Sequence, residues 1–248
     1  MRYEEISIEG RNAVTEALRA GTKPERILLQ SGLKDPAIEQ VKKLALSKKI
    51  KVDYVSKEEL DRKSETKHHQ GVMAVGANYQ YAEVDEMLAL ARERGEDPFL
   101  ILLDGIEDPH NLGAIIRTAN LAGAHGVVIL KNRSASVTST VARTSAGAVA
   151  FTPVARVANL STLMEHLKKE GMWFVCADMD GTTMYDLNLT GPIGLVIGNE
   201  GSGVSRLVRE HCDMVASIPM KGNIDSLNAS VAAGVLSFEI VRQKVKKS

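Results

Sequence analysis

Cysteine is scarce in this chain of 248 residues, with only Cys176 and Cys212 present. Two thiols so far apart match neither a zinc-ligand spacing nor a disulfide framework. Both lie in or beside apolar runs, so they read as buried free thiols in a reducing compartment. Net charge is absent as well: 31 Lys and Arg balance 31 Asp and Glu. No global basic excess therefore announces a nucleic-acid partner. The N-terminus carries no apolar signal segment, and no run approaches the length of a membrane span. The expectation is a soluble cytoplasmic protein with no membrane partner.

What is present is enough apolar material for a core, 44% of residues, on a chain long enough for one or two domains. Its charge is slightly uneven. Residues 1–75 hold fifteen Lys/Arg against twelve Asp/Glu, a net of +3, and the remainder holds sixteen against nineteen, a net of −3. That asymmetry is compatible with an anionic partner at the N-terminal end, or with an ordinary solvated surface.

The chain opens with Ile6 and Ile8 ahead of Gly10-Arg11-Asn12 and a short helix. The pattern then predicts a strand over 26–30, an amphipathic helix over 36–49, a strand over 51–55, a polar helix over 57–63 and a strand over 71–77. This makes a small α/β domain at residues 1–76. Residues 77–97 read as a linker carrying one helix, 84–94, stopped by Gly95. From Phe99 the pattern becomes regular. Strands at 99–103, 126–130, 152–157, 173–177, 193–198 and 214–218 alternate with helices at 112–122, 160–169 and 204–210. Short apolar strands alternating with helices predict a mainly parallel sheet covered on both faces, a second α/β domain over 98–248. Ligands in such sheets gather at the carboxyl ends of strands.

Three polar stretches lie at those ends. In the first, Asp108, His110 and Asn111 lead into a helix that carries Arg117, and Asn111 is a plausible N-cap. An Arg so placed can fork onto a phosphate or carboxylate, or simply snorkel at the surface. The second, Gly198-Asn199-Glu200-Gly201-Ser202-Gly203, lets backbone approach a ligand closely. It is no dinucleotide fingerprint, because Arg206 stands where a third glycine is required. The third runs from Ile218 through Met220 to Ser226, Leu227 and Asn228, before a helix whose Val231, Val235, Phe238 and Val241 recur at helical spacing. Ser226 and Asn228 sit where an N-cap is expected. A loop ending at a helix N-terminus also offers backbone N–H groups to a ligand. Other candidates carry less: His68-His69 has no third ligand at metal spacing and reads as a surface pair. Asp178 and Asp180 read as a solvated loop, and no metal site is expected.

Taken in order, the three stretches resemble the SpoU branch of the SPOUT methyltransferases, the tRNA/rRNA ribose 2′-O-methyltransferase family. The resemblance runs through Asn111-Leu-Gly-Ala-Ile-Ile-Arg117, Ile197-Gly-Asn-Glu-Gly-Ser-Gly-Val, and Ile218-Pro-Met to Ser226-Leu-Asn228-Ala-Ser230. The N-terminal Gly10-Arg11-Asn12-Ala-Val-Thr-Glu-Ala and His69-Gln-Gly71-Val look like the substrate-binding domain of the bacterial 23S rRNA guanosine-2′-O-methyltransferase subgroup. The resemblance implies a deep trefoil knot in the C-terminal domain, an L30e-like RNA-binding N-terminal domain, and a homodimer. It also implies S-adenosylmethionine as cofactor, bound near Gly198, Asn199, Gly201, Ile218, Met220 and Leu227, and 23S rRNA as substrate. Arg117, Asn111, Glu200, Ser226 and Asn228 would form the catalytic set. Two alternatives stay open: ribose methylation of another RNA (a tRNA, or an adenosine of the ribosomal GTPase centre), and a non-catalytic RNA-binding assembly factor.

Overall fold

The structure is a computed structural model that describes residues 3–223 and 226–247. The chain forms two compact units. One contains the residues up to Tyr81 together with Ser136–Phe151, and the other contains Ala82–Ala135 and the residues from Thr152 onward.

The first unit runs β1 (Tyr3–Glu9), α1 (Arg11–Arg19), β2 (Arg26–Gln30), α2 (Pro36–Ser47), β3 (Lys51–Val55), α3 (Lys57–Lys63) and β4 (Val72–Gln80). Its sheet has the order β1-β4-β2-β3. The parallel pair β2/β3 needs a crossover, and α2 supplies it, burying Ile38, Val41 and Ala45. Asp35 caps α2 by accepting from the Ala37 N–H at 2.8 Å, with Pro36 at the first helical position, where no N–H is missed. β1 is not foreseen as a strand, because its apolar alternation covers only Ile6 and Ile8. Pairing with β1, Tyr3 opposite Gln80, carries β4 beyond its expected end.

Between α3 and β4 the chain is held by a buried carboxylate. Glu9 accepts from the Ser64 hydroxyl at 2.6 Å, the Glu65 N–H at 2.8 Å and the Thr66 hydroxyl. His69 is buried too: its Nδ1 accepts from the Gly71 N–H at 3.0 Å while Nε2 meets Asp61 at 3.0 Å. The expected surface pair is thus one exposed histidine, His68, beside a structural one.

Two departures from the expected domain plan have a common cause, packing that no local pattern signals. Residues 136–151 belong with the first unit, although they fall inside the expected second domain. There α6 (Ser139–Thr144) lies against β1 and α1, and the Ser7 and Ser139 hydroxyls meet at 3.0 Å. Gly147, at φ +87°, sits so close to α1 that a Cβ would come within 2.5 Å of the Glu16 Cβ. The expected linker at 77–97 is not a linker either. Its first residues continue β4, and α4 (Val84–Arg94) buries Met87, Leu88 and Ala91 in the second unit.

The second unit continues with β5 (Phe99–Asp104), α5 (Pro109–Leu121), β6 (Gly126–Leu130), β7 (Val154–Val157), α7 (Leu160–Lys169), β8 (Trp173–Thr183), β9 (Ile193–Gly198), α8 (Arg206–Glu210), β10 (Met214–Ser217) and α9 (Ala229–Lys247). Its six strands have the order β10-β8-β9-β5-β6-β7, and every pairing is parallel. Helices α4, α7 and α8 share one apolar core with the sheet, while α5 and α9 pack on each other and reach β6, β8 and β9. The chain moves from β5 outward to β7, then returns to place β9 directly beside β5. That reversal makes the carboxyl ends of β5 and β9, where Asp104 lies opposite Gly198, a topological switch point.

Candidate active site

At that switch point the loop after β9 folds back on itself. The Gly203 N–H donates to the Asn199 carbonyl at 2.8 Å and the Asn199 N–H donates to the Gly203 carbonyl at 3.1 Å. The Asn199 side chain ties the loop down, donating to the Gly105 carbonyl and accepting from the Gly201 N–H, both at 2.8 Å. Gly198 is required by contact: a Cβ there would lie 2.1 Å from the Gly203 carbonyl carbon. The loop thereby holds Glu200 out from the sheet at its tip.

α5 begins earlier than expected. Asp108 accepts from the His110 N–H at 2.9 Å and Pro109 occupies the first turn, so Asp108 is the N-cap and Asn111 lies inside the helix, buried. The cap of α9 is Asn228, whose Oδ1 accepts from the Ser230 N–H at 2.9 Å and the Val231 N–H at 3.4 Å. Ser226 takes no part in that cap. The stretch before it includes residues 224 and 225, which lie outside the described residues.

These three elements meet at one carboxylate. Glu200 Oε1 accepts from Asn111 Nδ2 at 2.9 Å, from Asn228 Nδ2, and from the Ala229 N–H at 3.4 Å. Asn228 Nδ2 also donates to Asn111 Oδ1 at 3.0 Å. Negative charge at the N-terminus of α9 is favourable, because the first-turn N–H groups carry partial positive charge. The triangle welds α5, the β9 loop and α9 through residues spread over more than a hundred positions of sequence.

Beside it opens a cavity of about 420 Å³ across the ends of β8, β9 and β10, within the size range of small-ligand sites. Gly198, Asn199, Gly201, Ile218, Met220 and Leu227 all line it, as do Glu200 and Ser226. Met220 and Leu227 are 39% and 38% exposed, apolar surface turned to an open pocket rather than to the core. Among the described residues, the charged side chains lining the cavity are Asp178 and Glu200. Asp178 is a residue that sequence reasoning set aside; the signal for it lies in strand register, which no motif carries.

Arg117 stands apart from this group. It follows Asn111 by six residues, about 240° round the helix at 100° per residue, and its side chain is exposed. It neither lines the cavity nor joins the triangle. Among the described residues no group of three His, Cys, Asp or Glu could hold a metal ion, and no helix is long and apolar enough to cross a membrane.

Residues 98–238 match the model of the SpoU rRNA methylase family. The chain belongs to that family. Residues 7–82 also match the model for RNA 2′-O ribose methyltransferase substrate binding. A Staphylococcus saprophyticus protein named for the TrmH family of tRNA/rRNA methyltransferases is 45% identical over 242 residues, 97% of each chain. The Bacillus subtilis protein YacO, named for the same family, is 44% identical over 98% of each chain. Among solved structures, the SpoU methyltransferase AviRb from Streptomyces viridochromogenes superposes with a TM-score of 0.83 at 27% identity, over 98% of this chain and 91% of that one. A second structure of AviRb holds the cofactor AdoMet, with a TM-score of 0.82. The SpoU-family match covers the elements that build the triangle and the cavity. The substrate-binding match covers β1 from Ser7 onward through β4, but not α6 of the same unit.

Proposed function

We propose that this chain transfers a methyl group from S-adenosylmethionine to the ribose 2′-hydroxyl of a guanosine in 23S rRNA, acting in the cytoplasm as a homodimer. The observation that carries the reading is the cavity at the switch point, walled by glycine backbone and apolar side chains and charged, among the described residues, by the carboxylates of Asp178 and Glu200. Such a lining repels a polyphosphate and suits a cationic ligand. S-adenosylmethionine supplies an electrophilic methyl group on a positively charged sulfonium. The knot belongs to the same reading, as the way a chain threads such a pocket.

The residues of the triangle act by placement. A displacement at carbon needs its reacting atoms held in line, and most of the acceleration comes from that positioning. Asn111 and Asn228, fixed through Glu200, are the rigid polar wall against which a ribose is oriented, and Ser226 lines the cavity near its mouth. The 2′-hydroxyl must lose its proton as the new bond forms. A phosphate oxygen of the RNA or a water takes that proton; Arg117 does not, since a guanidinium stays protonated in proteins. Its task is to grip an RNA phosphate and stabilise the developing alkoxide.

The homodimer gives Arg117 its place. Leu121 lies one turn beyond Arg117 on the same face of α5 and is 68% exposed. On α9, Val231, Phe238 and Val245 recur every seven residues and are 49%, 49% and 69% exposed. Residues at that spacing form one stripe. A second copy seated on these apolar positions takes Arg117 into the interface. In the first unit, exposed Arg62, Lys63 and His68 flank the loop pinned by Glu9, a basic edge suited to RNA.

Incubating the protein with labelled S-adenosylmethionine and unmodified 23S rRNA, then mapping the methyl group, tests the reading. A 2′-O-methylguanosine is expected; label on tRNA or on an adenosine redirects the substrate, and no transfer to any RNA refutes catalysis. Arg117→Ala and Arg117→Lys are expected to lose at least about 100-fold in turnover, with cofactor affinity unchanged. Near-normal turnover in either sinks the role given to Arg117.

A further inference from the structure

β8 does not run straight beside β10. Their register holds as far as Cys176 opposite Val215 and resumes with Thr182 opposite Ala216, so residues 177–181 are extruded from one strand with nothing extruded from the other. Bulges of this kind re-aim side chains next to active sites. This one is fixed at three points. Asp178 Oδ1 accepts from the Asp180 N–H at 3.2 Å. Asp178 Oδ2 accepts from Arg209 Nη1 of α8 in a close ion pair. Gly181 lets the strand rejoin, since a Cβ there would lie 2.5 Å from the Val215 carbonyl oxygen.

The extrusion turns Ala177, Asp178 and Met179 into the wall of the cofactor cavity. The Asp178 side chain keeps 23% of its surface exposed despite its ion pair. The cavity thus has two carboxylates on different strand ends: Glu200 follows β9 and faces α5 and α9, while Asp178 projects from β8 on the side toward β10. Glu200 is already engaged by three donors. Asp178 is held by two, and a carboxylate offers about four acceptor positions, so it can take a pair of hydroxyls.

We infer that Asp178 is a specificity-determining residue that accepts hydrogen bonds from the ribose hydroxyls of the cofactor's nucleoside, with Arg209 as the residue that positions it. The inference rests on the cofactor reading above. Asp178 lines the cavity from β8, on the far side of β9 from β5, and would meet the nucleoside of a cofactor whose sulfonium lay toward the Asn111–Glu200–Asn228 triangle. A fixed carboxylate meeting a vicinal diol there forms charge-assisted bonds that a ligand without the hydroxyls cannot make. Arg209 keeps the carboxylate in one orientation, so little ordering is left to be done on binding.

Titration calorimetry on the full chain tests this with S-adenosylhomocysteine and its 2′,3′-dideoxy analogue, on the wild type, Asp178→Asn and Arg209→Gln. In the wild type, loss of the hydroxyls is expected to weaken binding about 10- to 100-fold, as one or two charge-assisted hydrogen bonds require. Asp178→Asn is expected to weaken S-adenosylhomocysteine by a similar factor while leaving the dideoxy analogue within about 3-fold of the wild type. Arg209→Gln is expected to show a smaller loss of the same selective kind. A wild type that binds both ligands equally overturns the assignment without any variant, and equal weakening of both ligands in Asp178→Asn reduces Asp178 to a loop brace and overturns it too. A folded wild type that binds neither ligand refutes the cofactor reading itself.

Discussion

The triangle of Asn111, Glu200 and Asn228 makes a quantitative claim about coupling. Glu200→Ala removes one acceptor from three donors. Asn228 is exposed and the Ala229 N–H bond is long, at 3.4 Å, so water replaces much of what those two donors lose. Asn111 is only 6% exposed, and its Nδ2 is left buried with no acceptor. An orphaned buried donor costs about 1–3 kcal/mol. Glu200→Ala should therefore destabilise the second unit by about 2 kcal/mol, lowering its melting temperature by about 4–8 °C. In an Asn111→Ala background the orphan no longer exists, and the same Glu200→Ala change should cost well under half as much. The double-mutant cycle, followed by urea unfolding and thermal melting, should thus give a coupling energy of about 1–2 kcal/mol. Strict additivity, within about 0.5 kcal/mol, would show that the hydrogen bonds at this junction do not act as a unit.

Three further outcomes follow from other parts of the second unit. Gly198→Ala drives a Cβ into the backbone at Gly203, which neither strand nor loop can vacate; calorimetry should show at least 10-fold weaker cofactor binding, and unfolding a loss of about 1–3 kcal/mol. Burial pushes the imidazole of His125 below its ordinary value of 6.5, with Glu96 partly opposing the shift. His125 Nδ1 accepts from the Phe99 N–H at 3.0 Å, which fixes the neutral ring in the fold. Its contribution is therefore complete above pH 6.5 and is lost as pH falls below that value, since the unfolded chain takes up the proton first. Urea midpoints between pH 7.5 and 5.5 should fall accordingly, and His125→Gln should flatten that part of the slope. Phe238→Asp places a charge in the apolar stripe of α9; sedimentation velocity should report a monomer whose melting temperature stays within a few degrees of the wild type, and a dimer of undiminished stability would move the interface elsewhere.

Much of the second unit is legible in the sequence because its strands are buried on both faces and its helices end on strong signals. The strands at Gly126–Leu130 and Ile193–Gly198, and the helices Val84–Arg94 and Leu160–Lys169, have the bounds that apolar runs, the Asn159 cap and the glycine stops dictate. α5 was expected to start at residue 112 because its first turn, Pro109-His110-Asn111, is polar; Pro109 is helical there because its missing N–H matters least at the first position. The short alternation of β1 left it unrecognised until β4 paired with it. Of the expected site residues, those of the cavity were readable as a glycine-rich turn and a loop before a helix. Their convergence was not readable from spacing, and was implied only by the family resemblance.

The sequence by itself determined which segments could be strand or helix, where glycine was indispensable, and which polar residues stood at strand ends. These are local properties, set by side-chain period, cap chemistry and steric limits within a few residues. Only the tertiary structure decided that residues 136–151 leave the second unit for the first, that Glu200 is the common acceptor of two distant asparagines, and that Arg117 faces away from its own cavity. The structure alone also aimed Asp178 inward, through a break in β-strand register. Each of these depends on contacts between residues far apart in the chain, whose energies are settled only when the whole unit packs.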